Sequence, residues 1–222
     1  MSVTLMPGQK DKYVKKYHLD SVFTEEMLAC FRLMEYEKGE IICSEGAVSQ
    51  IYQIVMEGVA RVTTISEKGK QVLLGYVRPM SIVGDMEFWS GNSVYYHEVV
   101  AECRMIVLVI PFSYIKEHLL ENVAFLRMAC NELTMKLVTS SINRSDVMLL
   151  PAKNRLAKYL CEQVKSSNSY TIIFHSTEVA QILGISDKQL RRLVTALVEE
   201  KAISRTGKKI TVLNMDQIIQ EA

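Results

Sequence analysis

Between residues 36 and 111, short apolar runs alternate with glycines and other turn residues. Runs rich in Val, Ile, Thr and Tyr are typical of antiparallel strands, and glycine readily adopts the positive φ that tight connections need. We predict strands at 40–43, 51–56, 59–65, 71–77, 98–101 and 104–110, with a turn at 68–70. Strands of this length and spacing predict a small barrel or sandwich within an N-terminal domain at 1–111.

After Pro111 the apolar residues recur at steps of three and four, which predicts a long amphipathic helix at 112–148. Pro111 can occupy the first position of a helix. The main stripe consists of Leu126, Ala129, Leu133 and Leu137, and it is widened by Phe125, Cys130 and Val138. This stripe can pack against the protein's own sheet, or it can form a seam with a second copy, as in a short coiled coil. We favour the homodimer, because one small barrel covers so long a helix poorly.

The third segment, 149–222, begins near Pro151 and contains a helix-turn-helix pattern. Gly184 lies between two short apolar-patterned helices, where a helix end commonly needs left-handed backbone. Ser186 is a preferred N-cap for the second helix, and Gln189 three residues later fits a capping box. The apolar positions that pack the two helices together are Val179, Leu183, Ile185, Leu190 and Leu193. An ordinary pair of packed helices is the alternative interpretation.

The outward side of the second helix is polar and mostly basic. The N-terminal residues of a recognition helix read base edges, arginine or lysine can bind guanine, and hydroxyls can bind phosphate. A predicted hairpin at 203–212 completes a winged helix; its basic residues are either phosphate contacts or ordinary turn residues. The predicted DNA contacts are Ser176, Thr177, Ser186, Asp187, Lys188, Gln189, Arg191, Arg192, Arg205, Lys208 and Lys209.

Composition and charge agree with a folded protein that meets a polyanion. Of 222 residues, 49% are hydrophobic and 23% charged, which suits a sizeable core. Residues 151–222 carry 11 basic and 7 acidic residues, whereas residues 1–150 carry 15 and 18. No apolar run approaches the roughly 18 residues of a membrane span. The first eight residues lack a signal-peptide pattern, so we expect a cytoplasmic protein without a membrane partner.

Cysteine and histidine spacing gives no support for a metal site or an enzyme. Five cysteines without a C-x-x-C pair predict small buried thiols, and the four histidines lack metal-ligand spacing. The chain contains no G-x-S-x-G or Walker A motif. We interpret Asp85 and Glu87 as loop residues that cap backbone N–H groups, and we expect neither a metal nor catalysis.

The order of β-roll, long helix and winged helix-turn-helix resembles the cyclic-AMP receptor and fumarate-nitrate regulator (Crp/Fnr) family. The resemblance extends from about Phe23 onward and is strongest at 176–203, at Gly39-Glu40, at Glu57-Gly58 and at Gly84-Asp85-Met86. It implies an α+β protein with a cyclic-nucleotide-binding-like roll, a long dimerisation helix and a DNA-binding domain. It also implies a homodimer on a palindromic promoter site, which activates or represses transcription by contacting or blocking RNA polymerase.

The resemblance also places an effector pocket in the roll. Its candidate residues are Gly84, Asp85, Met86, Glu87, Tyr95 and Tyr96, with Ser140 and Ser141 on the long helix. Cyclic-nucleotide binders of the family carry an Arg-Ser pair where this chain has Tyr95-Tyr96, and no arginine lies between Arg78 and Arg104. Because a phosphate needs a cation or converging N–H donors, we expect no cyclic nucleotide; an unidentified small effector stays open. Ser140 and Ser141 can equally be polar surface residues.

The family's other sensor chemistries find no counterpart in the sequence. Cys30 and Cys43 are too few and too far apart for its iron–sulfur centre, and the lone His97 makes no case for haem. Two hypotheses therefore remain: a dimeric, sequence-specific DNA-binding transcription regulator, or a ligand-sensing or protein-interaction module whose DNA-binding domain is degenerate.

Overall fold

Two antiparallel sheets form the N-terminal part of the protein in a computed structural model that describes residues 3–4, 9–65 and 71–221. The described residues form two units, Met1–Leu137 and Val138–Ala222. The turn predicted at 68–70 lies outside the described residues. The first sheet has the order β1 (Val3–Thr4), β2 (Arg32–Tyr36), β9 (Met105–Pro111), β4 (Ile51–Glu57) and β7 (Ile82–Val83). The second has the order β3 (Ile41–Cys43), β8 (Glu98–Ala101), β5 (Ala60–Ile65) and β6 (Gln71–Val77).

The central strands β4 and β9 are buried on both faces. Successive side chains of a strand point to opposite faces. Val55 and Val107 accordingly belong to a core cluster with residues of the second sheet, while Ile54 and Leu108 belong to a cluster with the helices. This double burial explains why the sequence of β9 is almost uninterruptedly apolar.

Helices cover the outer face of the first sheet. They are α1 (Lys10–Lys16), α2 (Glu25–Cys30), α3 (Asp85–Ser90) and α4 (Phe112–Tyr114), with a 3₁₀ turn at Leu19–Ser21 and a π-helical turn at Ile115–Leu119. The long helix α5 (Val123–Leu149) contributes Phe125, whose ring centroid lies 5.8 Å from that of Tyr52 and 6.1 Å from that of Phe23. The roll and the long helix predicted from the sequence are confirmed.

The long helix begins later than predicted. Pro111 ends β9 and precedes the short helix α4, and α5 starts at Val123. The side chain of Asn122 caps the new start, since its Oδ1 accepts a hydrogen bond of 3.0 Å from the backbone N–H of Phe125. The division between the two units falls within α5, after Leu137, so this helix is not a separate domain.

The second unit is a small winged domain with its own core. Its elements are α6 (Ala152–Ser167), β10 (Thr171–Ile173), α7 (Ser176–Ile182), α8 (Asp187–Glu199), β11 (Ile203–Thr206), β12 (Lys209–Val212) and α9 (Met215–Glu221). The three strands pair antiparallel in the order β10-β12-β11. Leu156 and Leu160 of α6, Val194 and Leu197 of α8, and Ile210 of β12 share one apolar cluster.

The prediction for the cysteines is only partly right. The five cysteines are free thiols, but only Cys43 and Cys161 are buried; Cys30, Cys103 and Cys130 are exposed, so the prediction of uniformly buried thiols is wrong for these three. None of the helices in the described residues has both the length and the apolar character needed to cross a membrane.

Candidate nucleic-acid interface

The turn between α7 and α8 has the geometry that the sequence predicts. Gly184 has a φ of +63°, and its N–H donates to the carbonyl of Gln181 at 3.0 Å. The N–H of Ile185 donates to the carbonyl of Ala180 at 2.9 Å, which completes a paired hydrogen-bond pattern common at helix ends. Ser186 then caps α8, because its Oγ accepts from the N–H of Gln189 at 3.2 Å.

Helix α8 separates an apolar inner face from a polar outer face. Leu190, Val194 and Leu197 are buried in the core of the unit. The predicted contact residues on the other face are all exposed: Ser186, Asp187, Lys188, Gln189, Arg191 and Arg192. Within the described residues, neither Arg191 nor Arg192 is paired with a carboxylate. Their guanidinium groups are therefore available to an external acceptor.

The wing is held close to the start of α7 by Arg205. Its Nη2 donates to Oγ of Ser176 at 3.0 Å, and its Nε donates to the carbonyl of Gly207 at 3.2 Å. The neighbouring predicted contacts Thr177, Lys208 and Lys209 are all exposed to solvent. The structure thus brings Ser176 of the first helix and Arg205 of the wing together, with part of the Arg205 guanidinium already used internally.

In the roll, the candidate pocket residues Gly84 and Asp85 have structural partners. Gly84 has a φ of +92°, and a Cβ at this position would clash with the carbonyl oxygen of Ile51. Asp85 is only 2% exposed, and its Oδ1 and Oδ2 accept hydrogen bonds of 2.6 and 2.8 Å from Nζ of Lys136. The prediction that Asp85 and Glu87 lie on a loop is wrong, because both belong to the first turn of α3.

Helix residues Glu132 and Lys136 also satisfy the free edge of β7. Nζ of Lys136 donates to the carbonyl of Ile82 at 2.7 Å, and Oε1 of Glu132 accepts from the N–H of Ile82 at 3.2 Å. Burial raises the pKa of Glu132, while the positive charge of Lys136 opposes that rise. The sequence gives no local signal for this pair, since its partners lie about 50 residues away.

Tyr95 fills the position where the resemblance expects a phosphate-binding arginine. It is buried within the roll, where burial raises the pKa of its phenol to about 12. Tyr36 donates to Oε1 of Gln53 at 2.9 Å in the same cluster. Neutral phenol and amide groups therefore occupy this part of the interior.

The remaining pocket candidates differ in exposure and in partners. Oε1 of the buried Glu87 accepts from the backbone N–H of Tyr96 at 3.0 Å, so this carboxylate does cap a backbone N–H as predicted. Met86 and Tyr96 are each 40% exposed. Ser140 and Ser141 are exposed on α5 and belong to the second unit.

The predicted dimer stripe on α5 is split by the structure. Ala129 is 1% exposed, and Leu126 packs against the core beneath the helices, so these two residues are covered by their own unit. Leu133 is half-buried, and Leu137 is 70% exposed. A single seam through all four residues is therefore wrong, because the roll already takes the first part of that face.

A different apolar stripe on α5 remains exposed. It is formed by Met135, Val138, Ile142 and Leu149, which are separated by three, four and seven residues. Steps of three, four and seven residues separate the a and d positions of a heptad repeat, so the four residues lie on one helix face. Of these four residues only Val138 was part of the predicted stripe, because α5 carries apolar residues on more than one side.

Two family models match the chain. Residues 33–122 match the cyclic nucleotide-binding domain, and residues 154–220 match the Crp-like helix-turn-helix domain.

Two transcription regulators match along most of their length. The chain is 21% identical over 194 residues to the cAMP-activated global transcriptional regulator CRP of Salmonella typhimurium, covering 85% of this chain and 92% of that protein. It is 20% identical over 199 residues to the global nitrogen regulator of Synechococcus elongatus, covering 86% and 89%.

Solved structures share the fold. The c-di-GMP-responsive global regulator CLP of Xanthomonas campestris matches with a TM-score of 0.75 and 14% identity, over 91% of this chain and 98% of that one. A CRP/FNR-family transcriptional regulator of Thermus thermophilus matches with a TM-score of 0.70 and 18% identity, over 86% and 97%. With a nucleotide-binding-like roll, a long helix and a Crp-like helix-turn-helix in one chain, the protein belongs to the Crp/Fnr family of DNA-binding transcription regulators.

Proposed function

We propose that the protein is a homodimer that binds a palindromic DNA site, with one α8 helix in the major groove of each half-site. The outward face of α8 carries this proposal: its first turns expose three cationic side chains, Lys188, Arg191 and Arg192, while its apolar face is buried. Arginine and lysine bind the O6 and N7 acceptors of guanine, and the exposed carboxylate of Asp187 can accept from the amino group of cytosine. Lys208 and Lys209 on the wing are suited to phosphate.

The dimer is proposed to form through the exposed stripe of Met135, Val138, Ile142 and Leu149. Four large apolar side chains at heptad spacing on one face are costly to leave in water, and a second copy of α5 would cover them. Two-fold symmetry of the protein matches two-fold symmetry of the site, so half-sites are expected about one helical turn, ~34 Å, apart.

The roll is proposed to act without cyclic AMP or cyclic GMP. The buried Tyr95 phenol supplies no positive charge for a phosphate, and the carboxylate of Asp85 is already neutralised by Lys136. An unidentified small effector or a partner protein would shift the populations of two arrangements of the long helices. The dimer would act in the cytoplasm and regulate transcription by contacting RNA polymerase or by blocking it.

Selection of random DNA duplexes by the purified protein tests this function. We expect enrichment of an inverted repeat with a defined distance between its halves. A protein-interaction module with a degenerate helix-turn-helix would enrich no motif, and that outcome would remove the proposed function.

Replacing Arg192 with alanine is expected to weaken binding to the selected site by about 1–3 kcal/mol, or roughly 5- to 150-fold, and to relax sequence preference at one position of each half-site. The reason is the loss of a bidentate donor to a base. Titration of labelled duplexes with the variant measures both effects. Lys165→Ala removes an equal charge from the exposed end of α6 and is the matched control. Unchanged affinity and preference would exclude Arg192 from base recognition.

Millimolar cyclic AMP is expected to leave the affinity for the selected site unchanged, because the roll presents a phenol where a cyclic phosphate requires a cation. DNA titrations with and without the nucleotide, together with calorimetric titration of the protein alone, measure this. Measurable heat of binding, or a nucleotide-dependent rise in DNA affinity, would contradict the prediction.

A further inference from the structure

One side chain of the second unit holds the ends of two different helices. Arg155 lies in the first turns of α6 and is half-buried. Its Nε donates to the carbonyl of Leu183 at 2.9 Å, and its Nη1 donates to the carbonyls of Leu150 at 2.7 Å and Val147 at 3.2 Å. Val147 lies in the last turn of α5, Leu150 directly follows that helix, and Leu183 is the C-cap of α7.

The chemistry of these acceptors makes an arginine well suited to the position. Carbonyl groups in the last turn of a helix have no partner within the helix, and the helix dipole favours a cation there. A guanidinium group presents five N–H donors in one plane and can bind several carbonyls at once, whereas the compact ammonium of lysine cannot span them in the same way. Arg155 thus fastens the end of α5 to the end of α7.

The two helix ends also approach each other closely. The Cγ atoms of Val147 lie 3.4 and 3.5 Å from the point where a Cβ on Gly184 would be. A second link joins α6 to the end of α5, because Nζ of Lys158 binds Oδ2 of Asp146 at 2.6 Å. The turn that precedes α8 is therefore packed on the end of α5, and Arg155 supplies the polar part of that contact.

We propose that Arg155 is a positioning residue that fixes the direction of α8 relative to the dimer seam, and thereby sets the half-site spacing that the dimer accepts. The inference rests on the proposed function. Within the second unit, Val138, Ile142 and Leu149 supply the seam, and Arg155 joins the end of that helix to Leu183. Ser186, the N-cap of α8, follows Leu183 by three residues.

Arg155 and the outward residues of α8 are expected to control different properties of DNA binding, the first the half-site spacing and the second the base preference. Arg155 bonds backbone carbonyls at the inner side of the turn, while the exposed residues of α8 face outward. Loss of Arg155 is expected to leave the base-contacting side chains in place and to loosen the angle between α8 and the end of α5. The preference for half-site bases should persist, while the preference for one distance between the halves should fade.

The test uses the full-length protein and palindromes that carry the selected half-sites at distances varied by single base pairs. The wild-type protein is expected to prefer one spacing over its neighbours by roughly tenfold or more, because a one-base-pair step rotates one half-site relative to the other. Arg155→Gln is expected to bind the neighbouring spacings almost as well as the preferred one. Lys165→Gln, the same loss of charge elsewhere on α6, is expected to keep the wild-type profile.

Each outcome bears on the inference. An unchanged spacing profile in Arg155→Gln would overturn it, and so would an equal loss of affinity at every spacing, which would indicate a role in stability alone. If circular dichroism shows that Arg155→Gln does not fold, Arg155→Lys decides: a flattened profile supports the proposal and a wild-type profile overturns it. Failure of the wild-type protein to select any inverted repeat would instead remove the proposed function, before any variant is compared.

Discussion

Replacing Ile142 with glutamate is expected to convert the protein to a monomer and to weaken its binding to the palindromic site by roughly 100-fold or more. Ile142 is 48% exposed and lies in the middle of the stripe formed by Met135, Val138 and Leu149. In a symmetric seam, the substitution places two carboxylates close together in an apolar contact. Burying an unpaired charge costs several kcal/mol, and each change of about 1.4 kcal/mol corresponds to a tenfold change in an equilibrium constant.

Light scattering during gel filtration measures the mass of the Ile142→Glu variant, and DNA titration measures its affinity. Arg144→Glu is the control, because residue 144 is exposed and lies about 200° around the helix from residue 142. The control should remain a dimer. A dimeric Ile142→Glu variant would show that the seam lies elsewhere on α5, and a monomeric wild-type protein would remove the dimer from the proposed function.

Replacing Lys136 with methionine is expected to lower the free energy of unfolding by about 3 kcal/mol, because it leaves the carboxylate of Asp85 buried without its cation. We take the lower end of the usual range for a broken buried pair, since the Lys136 side chain is 30% exposed. Asp85 itself is 2% exposed, so water cannot replace the lost ammonium group. The same variant also removes the hydrogen bond from Lys136 to the carbonyl of Ile82 at the edge of β7, and of the two bonds to α5 it leaves only the one from the N–H of Ile82 to Glu132.

Urea denaturation measures this loss, and a double variant identifies its cause. Lys136→Met combined with Asp85→Asn removes both charges and is expected to recover most of the lost stability, whereas Lys116→Met at an exposed position should change little. The loss in Lys136→Met should also be smaller in acid than at neutral pH. Burial already raises the pKa of Glu132, and this pKa should rise further without the positive charge of Lys136. Because the folded state then binds a proton more tightly than the unfolded state, protonation of Glu132 stabilises the folded variant at low pH, and this stabilisation is lost as the pH rises. A double variant no more stable than Lys136→Met would contradict the charge argument.

The helix-turn-helix could be predicted because its signals are local. Gly184 at the turn, Ser186 at the cap and the apolar spacing around them are each decided within a few residues, and the structure places them as the sequence indicates. The strands of the roll were predictable for the same reason, since the composition of each run and the turn residues between runs are properties of short segments. The start of α5 was not predictable in this way. Pro111 is compatible with a helix start but precedes the short helix α4, and Asn122 caps α5.

The spacing of apolar residues along α5 does not show which face of the helix packs against the roll. Ala129 and Ile142 both belong to apolar stripes, yet the first is covered by the roll and the second is exposed. A helical repeat reports that a face is apolar, but it does not report what covers that face. The contacts of Lys136 and Arg155 were equally hidden, because their acceptors include backbone carbonyls, which every residue carries.

By itself, the sequence determined the order of roll, long helix and winged helix-turn-helix, and the basic outward face of Arg191 and Arg192, since these depend on local preference and on the sign of charge. Only the tertiary structure decided that Tyr95 fills the interior of the roll, that Lys136 neutralises Asp85, and that Arg155 binds two helix ends. The physical reason is distance along the chain. Asp85 and Lys136 are separated by 51 residues and Arg155 and Leu183 by 28, and such contacts exist only once packing has brought distant segments together.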